Sequence, residues 1–499
     1  SVNYADYRVA TGGVDNISFT DNTVNAGTYP TMFRSGISAD EVGGFFSGNT
    51  IQSINQDILV RFASNGHVTV SDNFLNGGGM EFADFNAGAG TLTISDNTFN
   101  GAFAGTYSKA LRLRNNYTAR PTLLSGNIFT GFDWGASLEN YQEITIDNNS
   151  FTPPAGSTAF RHITINTKEF SSSSGFYAPV IDAVITNNTF NGSGTPGGMA
   201  IGFYNWDNDS PVIGPFTLGS AGNENIFNTG IGTFIHLDNS VGTANPNATS
   251  MVCWATNLNA EYNKFDVGSG LQLPGVMNFT ERTALEGKLF HKPDASCLGF
   301  ITTFYPVHNI TQNTYYLSIQ AAVTAANPND EIECAEYTFN EKVIIDKKLW
   351  LHGVNETNCV IDGTGLGTGS GIYINNGVTD VKIVYFTIKN HAGTSPNSYA
   401  GIYAVGGNDD LTVQHCTLKD NVGGCGFYAN GPITDVLIDD VTASGHTNAF
   451  GPARGIVIWN GLKSNITITN CEVFNNNCCG IELQDGTATG VLMENNNVY

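Results

Sequence analysis

Thr91-Leu92-Thr93-Ile94-Ser95-Asp96-Asn97-Thr98-Phe99-Asn100-Gly101 is the stretch that decides the fold. Its alternating start predicts a short half-buried strand, and Asp96-Asn97 predicts a polar corner. Phe99 then supplies a large inward residue before a second turn. The same Asn-x-apolar step begins at Asn22, Asn49, Asn73, Asn97, Asn127, Asn149, Asn188, Asn225 and Asn263. By subtraction the spacings are 27, 24, 24, 30, 22, 39, 37 and 38 residues. A period in the twenties with insertions, and no helical pattern between, signals a solenoid of strands. One coil of three short strands cannot bury its inward side chains alone. Stacked about 4.8 Å from a neighbour, it buries them and pairs its backbone. Asn at a corner tolerates left-handed backbone, and its amide can bond its copies above and below.

Strand pieces before the corners also align: Met80-Glu81-Phe82, Ala110 to Asn115, Ala136 to Asn140, Phe160 to Thr164, Met199 to Asn205, and Phe234 to Asn239. They predict one parallel sheet with alternate residues facing in and out, although the register at His162 is open by one residue. Residues 1–274 therefore read as a first coil stack and 275–316 as a connector in which Glu281 to Glu286 suits a helical turn. Residues 317–499 read as a second stack. It opens with an Ala- and Gln-rich helix over Leu317 to Ala326 that stops at Asn327-Pro328 and would cover the first coil. Two columns fix its register. Gly371-Ile372, Gly401-Ile402, Gly426-Phe427, Gly455-Ile456 and Gly480-Ile481 form one; Thr387, Thr417, Thr442, Glu472 and Asn497 mark the other. The expected fold class is all-β: two tandem right-handed parallel β-helices, with a short capping helix at the start of the second.

Composition bounds the function. The chain has 499 residues, 58 of them Gly, with only 21 Lys+Arg and a net charge of −23. No basic stripe exists to neutralise phosphates, so nucleic acid is excluded as a partner. No run of about 18 apolar residues exists either, so no membrane insertion is expected. Both ends fall inside repeat material, which reads as a segment of a longer polypeptide whose other domains would be its neighbours. None of the nine Cys lies in the first 252 residues. Cys253–Cys297 and Cys334–Cys359 are candidate bridges, while Cys416 and Cys471 sit two rungs apart, too far to join. The vicinal Cys478-Cys479 and adjacent His415-Cys416 have no zinc spacing.

Ser318-Ile319-Gln320-Ala321-Ala322-Val323, Asn329-Asp330-Glu331-Ile332, Lys342-Val343-Ile344-Ile345 and Val360-Ile361-Asp362-Gly363 resemble the opening of a right-handed parallel β-helix of the pectin-lyase-like superfamily. The Gly-Ile, Asn-rich coils after them resemble its generic repeats. The resemblance implies a fold that hosts lyases, glycoside hydrolases, esterases, phage spikes and non-catalytic adhesins, so it does not settle function. Two modules in series look like the large secreted surface proteins that use such units as stalks or adhesive surfaces.

The first stack's outer face gathers Arg112, Arg114, Glu139, His162, Tyr204, Trp206, Asp207, Asp209, His236 and Asp238 as a candidate glycan-binding cluster, with Tyr204 and Trp206 as stacking platforms. A decorated solvent face is the plainer reading. On the second stack Tyr373, Tyr403, Tyr428, Trp459 and Glu482 form a column, with Arg454 alone among them; inter-rung stacking explains it as well as glycan binding. No cofactor is expected, although Asp409-Asp410 and Asp439-Asp440 offer oxygen donors of the kind calcium takes. The expected role is a structural, adhesive segment of an extracellular, cell-surface protein that recognises polysaccharide or surface glycans. The alternative is a polysaccharide lyase or glycoside hydrolase, which needs a cation cluster with a base, or two facing carboxylates.

Overall fold

The computed structural model describes residues 17–25, 31–34, 44–52, 58–63, 67–82, 90–101, 109–114, 121–139, 143–166, 183–204, 216–238, 258–291, 301–394, 399–447 and 453–499. Contacts divide the chain into two compact units, Ser1–Thr303 and Phe304–Tyr499. Each is a parallel β-helix. The first has sheets of eight, ten and nine strands, nearly all paired in parallel with the strand one coil away. Leu92–Ser95, for example, lies between Val68–Ser71 and Thr122–Ser125, with Ile94 opposite Val70 and Leu124.

The repeating Asn does what its spacing predicts. Asn97 Nδ2 donates to Asn127 Oδ1 at 2.9 Å, and Asn127 Nδ2 to Asn149 Oδ1 at 2.9 Å. The ladder runs from Asn22 to Asn263. Each Oδ1 from Asn49 to Asn225 also accepts the backbone N–H of the ladder Asn one rung back, as Asn127 does for Asn97 at 3.0 Å. The left-handed backbone, however, falls one residue earlier, on Asp21, Gly48, Asp72, Asp96, Gly126, Asn148 and Asn187. Turning and bonding are therefore separate jobs at neighbouring positions. Inside the corner, Phe99, Phe129, Phe151, Phe190, Phe227 and Phe265 stack with ring centroids 4.7–5.4 Å apart. That is close to the rung rise of about 4.8 Å, so one residue per coil fills the axis.

Helix α1, Phe279–Glu286, follows the last full coil. Its first turn is closed by reciprocal bonds between Asn278 and Glu281 at 2.9 and 3.0 Å. Helix α2, Ile319–Ala325, opens the second unit and buries Ile319, Ala322 and Val323 against its core. Ser318 caps it, while Glu341 accepts from the Ile319 and Gln320 amides at 2.8 and 2.9 Å. Among the described residues these are the two α-helices.

The second unit has sheets of fourteen and six strands. Ile372, Ile402, Phe427, Ile456 and Ile481 pair in register, as do Thr387, Thr417, Thr442, Glu472 and Asn497. The glycine before each of these inward residues has a steric reason. A Cβ on Gly426 would lie 2.5 Å from the Gly455 carbonyl and 2.6 Å from His446 Nε2. Cys334 and Cys359 are not bridged: both thiols are free and buried, and the Cys359 thiol donates to the Cys334 and Ala335 carbonyls at 3.2 Å. Cys253 and Cys297 lie outside the described residues.

Candidate functional site

On the outer face of the first unit's nine-stranded sheet, Glu81, Arg112, Ser137, Thr164, Gly202 and His236 share one column. Arg112 grips Glu139 with two bonds, 3.0 and 2.8 Å, and Lys109 adds a third at 3.1 Å. Burial alone would push the Glu139 carboxyl up, but Arg112 and Lys109 together outweigh it and hold the group below its ordinary range. Lys109 is lowered by the same burial, against the pull of Glu139. Lys109 and Arg161 both lie over the Trp134 ring, at 4.7 and 4.9 Å. With Glu81 4.0 Å from the Arg112 guanidinium, the cluster is a network of cations, two carboxylates and one indole.

The other expected residues divide. His162 takes the inward side of the strand, which removes it from any glycan face. It is buried among Phe151, Phe160 and Phe190 and bonded through Nε2 to the Asn191 carbonyl at 2.8 Å. Desolvation there lowers its pKa to about 4. His236 stacks flat on exposed Phe290, 4.3 Å between ring centroids. Arg114 stands opposite Glu139, and Tyr204 opposite Asp238, in the backbone register; the directions of the Arg114, Tyr204 and Asp238 side chains lie outside the description. Trp206, Asp207 and Asp209 lie outside the described residues.

In the second unit, Tyr403 and Tyr428 are buried with Ala400, Cys425 and Val457 in a satellite cluster. The rings of Tyr373, Tyr403 and Tyr428 follow one another at 5.3 Å, so inter-rung packing accounts for this column. Arg454 does not stand alone: it pairs with Glu482 and lies over the Trp459 ring at 5.1 Å. Asp439 accepts from Gln414, Thr469 and Asn470 at 3.1, 2.8 and 2.8 Å, which holds its carboxyl low against the cost of burial. Among the described residues no three His, Cys, Asp or Glu side chains converge as a metal site.

Three further exposed aromatics lie along the fourteen-stranded sheet of the second unit. Tyr315 stacks on His308 at 4.3 Å, and Trp350 lies 5.0 Å from His352, whose Nε2 is 3.1 Å from Glu331. Tyr385 stacks on His415 at 4.8 Å, and His415 Nδ1 is 2.7 Å from Asp440. Trp350 and Tyr385 are each 41% exposed and Tyr315 57%. Tyr385 and His415 carry left-handed backbone, φ 63° and 51°, in a column where Asp440, Asn470 and Asn495 otherwise take that conformation. A bulky residue there is unusual, and such strain clusters at functional positions. The signal was present in the sequence as Tyr and His replacing Asp or Asn in a regular column.

Residues 349–499 match the family described as right-handed beta helix region. With the parallel coils described above, that match makes residues 349–499 a right-handed parallel β-helix, the fold the pectin-lyase-like resemblance implied. Among curated proteins the chain has no match. Among solved structures it aligns with the PL6 family alginate lyase AlyGC at 10% identity, over 97% of this chain and 96% of that one, with a TM-score of 0.16. It also aligns with an arginine mutant of that lyase at 12% identity over 97% of each, with a TM-score of 0.15. Superposition that poor carries no argument about activity.

Proposed function

We propose that the chain is a structural, adhesive β-helix segment displayed outside the cell, and that it holds carbohydrate on the strip formed by Tyr315, Trp350 and Tyr385. The observation that supports this reading is their exposure beside imidazoles and carboxylates, while Trp134 in the first unit is covered by its own cations. A sugar ring offers an apolar C–H face to an aromatic ring, and hydroxyls to Glu331, His352 and Asp440. The net charge of −23 favours a neutral glycan over a polyanion. The test is a glycan array with and without calcium, run beside a polysaccharide degradation assay. Binding without turnover is expected. Trp350→Ala and Tyr385→Ala should each weaken it about tenfold, the equivalent of ~1.4 kcal/mol, with Arg112→Ala unchanged. Binding that survives both aromatic variants would remove the strip from the account.

The second reading is a lyase or hydrolase, favoured by one observation: the Asp440 carboxylate lies 2.7 Å from His415 Nδ1, the kind of pairing that orients an imidazole base. Turnover of any polysaccharide that His415→Ala abolishes would establish it in place of the adhesive reading.

A further inference from the structure

Seven cysteines lie within the described residues, and five of them are buried. Burial pushes their thiols up, to about 12 at Cys416 and about 11 at Cys359, Cys425 and Cys471. Such thiols are inert, because the reacting species is the thiolate. Cys478 and Cys479 differ in exposure and in lying beside each other. Cys478 is exposed, Cys479 partly so, and their sulfurs are 2.7 Å apart. Both backbones are pinned to the rung below: Cys478 N–H donates to the Ala453 carbonyl at 2.9 Å, and the Cys479 carbonyl accepts from Gly455 N–H at 3.0 Å. The turn that presents the pair is therefore fixed by the solenoid. The Cys478 contact is the largest influence on Cys479 and holds its proton on, while the guanidinium of Arg454 opposes this.

We propose that Cys478 and Cys479 form a thiol–disulfide exchange site that takes small organic disulfides as substrate and closes into a vicinal disulfide. Exposed Cys478 loses its proton to solvent and attacks one sulfur of the small disulfide, expelling one thiolate, which is protonated. The Cys479 sulfur then attacks Cys478, breaks the mixed disulfide and expels the second thiol. Two protein thiols are oxidised and one small disulfide is reduced to two thiols. Adjacent residues hold their Cα atoms about 3.8 Å apart, shorter than the roughly 4.4–6.8 Å of ordinary bridges, so the ring reopens readily with excess thiol. The same two sulfurs would close on a trivalent arsenical, releasing water.

The experiment treats the reduced, folded chain with glutathione disulfide, quenches in acid, alkylates and weighs the peptide that carries both residues. The wild type is expected to lose two hydrogens and keep no glutathione, and to regain them with excess thiol. Cys478→Ser and Cys479→Ser should each stop at one bound glutathione. Phenylarsine oxide should protect the pair from alkylation in the wild type and in neither variant. A wild-type peptide that keeps a glutathione, or that stays fully alkylatable, overturns the proposal. This readout does not depend on the variants folding.

Discussion

The two units fill their corners with different chemistry. In the first, one Asn per coil bonds rung to rung. Asn127 uses every polar atom of its amide, donating to Ile94, Ser125 and Asn149 and accepting twice from Asn97. In the second unit the corner column that follows Lys389 and Lys419 mixes types: His391, Asn421, His446 and Asn476. A backbone N–H still reaches each neighbour, at 3.0, 3.3 and 3.2 Å. Both ring nitrogens of His391, Asn421 Nδ2 and His446 Nε2 are nonetheless buried without a hydrogen bond of normal geometry. An imidazole accepts as the amide does but lacks its pair of donors on one atom, so alternating the two leaves donors unmatched. The glycine column packed against these side chains is the steric counterpart. A uniform ladder stabilises; a mixed one leaves the unit sensitive to protons.

That difference gives the largest expected effect. Burial lowers His391 to about 4 and His446 to about 3, the nearby Ile361 and Leu418 carbonyls only softening the shift. Both folded values lie below the unfolded one of about 6.5, so the unfolded chain binds more protons. The contribution of each neutral ring is fully present above pH 6.5 and is lost as pH falls towards 4. At pH 4 the loss is roughly 3 kcal/mol per histidine, hence about 6 for the second unit, against about 3 for the first through His162. Urea unfolding followed by hydrogen exchange of peptides from each unit, at pH 7 and pH 4, reads this directly. His446→Asn should remove about half of the second unit's acid loss. Equal acid sensitivity in the two units would break the comparison.

The ladder itself is tested at pH 7. Asn127→Ala leaves the Asn97 amides and several carbonyls unmatched inside the first unit; at about 1–3 kcal/mol for each buried group left alone, a total near 4 kcal/mol is expected. Asn421→Ala removes one acceptor and one donor that was poorly bonded already, so about 1–2 kcal/mol is expected. The urea midpoint of the affected unit checks both. A larger loss from Asn421→Ala would show that the mixed column is the tighter of the two.

Much of this was legible in the spacing. A 24-residue step places Asn73 on Asn49 and Asn97 on Asn73 whatever the loops do, because stacking in one dimension transmits register from coil to coil. The Gly-Ile column was legible for the same reason, although its cause, the next coil's carbonyl and a side chain lying on each glycine, was not. Sites fared differently because periodicity says which residues align and not how far a side chain is covered. His162 could be read either way by one residue, and the structure turns it inward. Arg112 and Glu139 belong to one expected cluster, and the structure bonds them to each other twice, which periodicity alone does not show. Trp350 and Tyr385 were passed over because an exposed aromatic and a buried one look alike in a repeat. For Tyr385 the mark is the left-handed backbone it shares with His415, visible once Asp440 and Asn470 are aligned beside it; Trp350 carries no such mark.

Two glycines give the sharpest contrast of mechanism. Gly48 has φ +65°, and a Cβ there would meet the Asp21 carboxylate oxygen at 2.3 Å. That oxygen ends a side chain which can turn away, and the same column holds Asp72 and Asp96 on adjacent rungs, so two side chains fit in succession. Gly48→Ala should therefore cost only the left-handed strain, about 1 kcal/mol, and Gly48→Asn less. Gly426 needs no left-handed backbone, and its obstacle at 2.5 Å is the main-chain carbonyl of Gly455, fixed by its own rung. Gly426→Ala must push two coils apart, and overpacking of that kind costs roughly 1–3 kcal/mol. Thermal unfolding of the two variants ranks them. If Gly48→Ala proved the more damaging, backbone conformation and not rung spacing would limit what these corners accept, and the second unit's glycine column would need another cause.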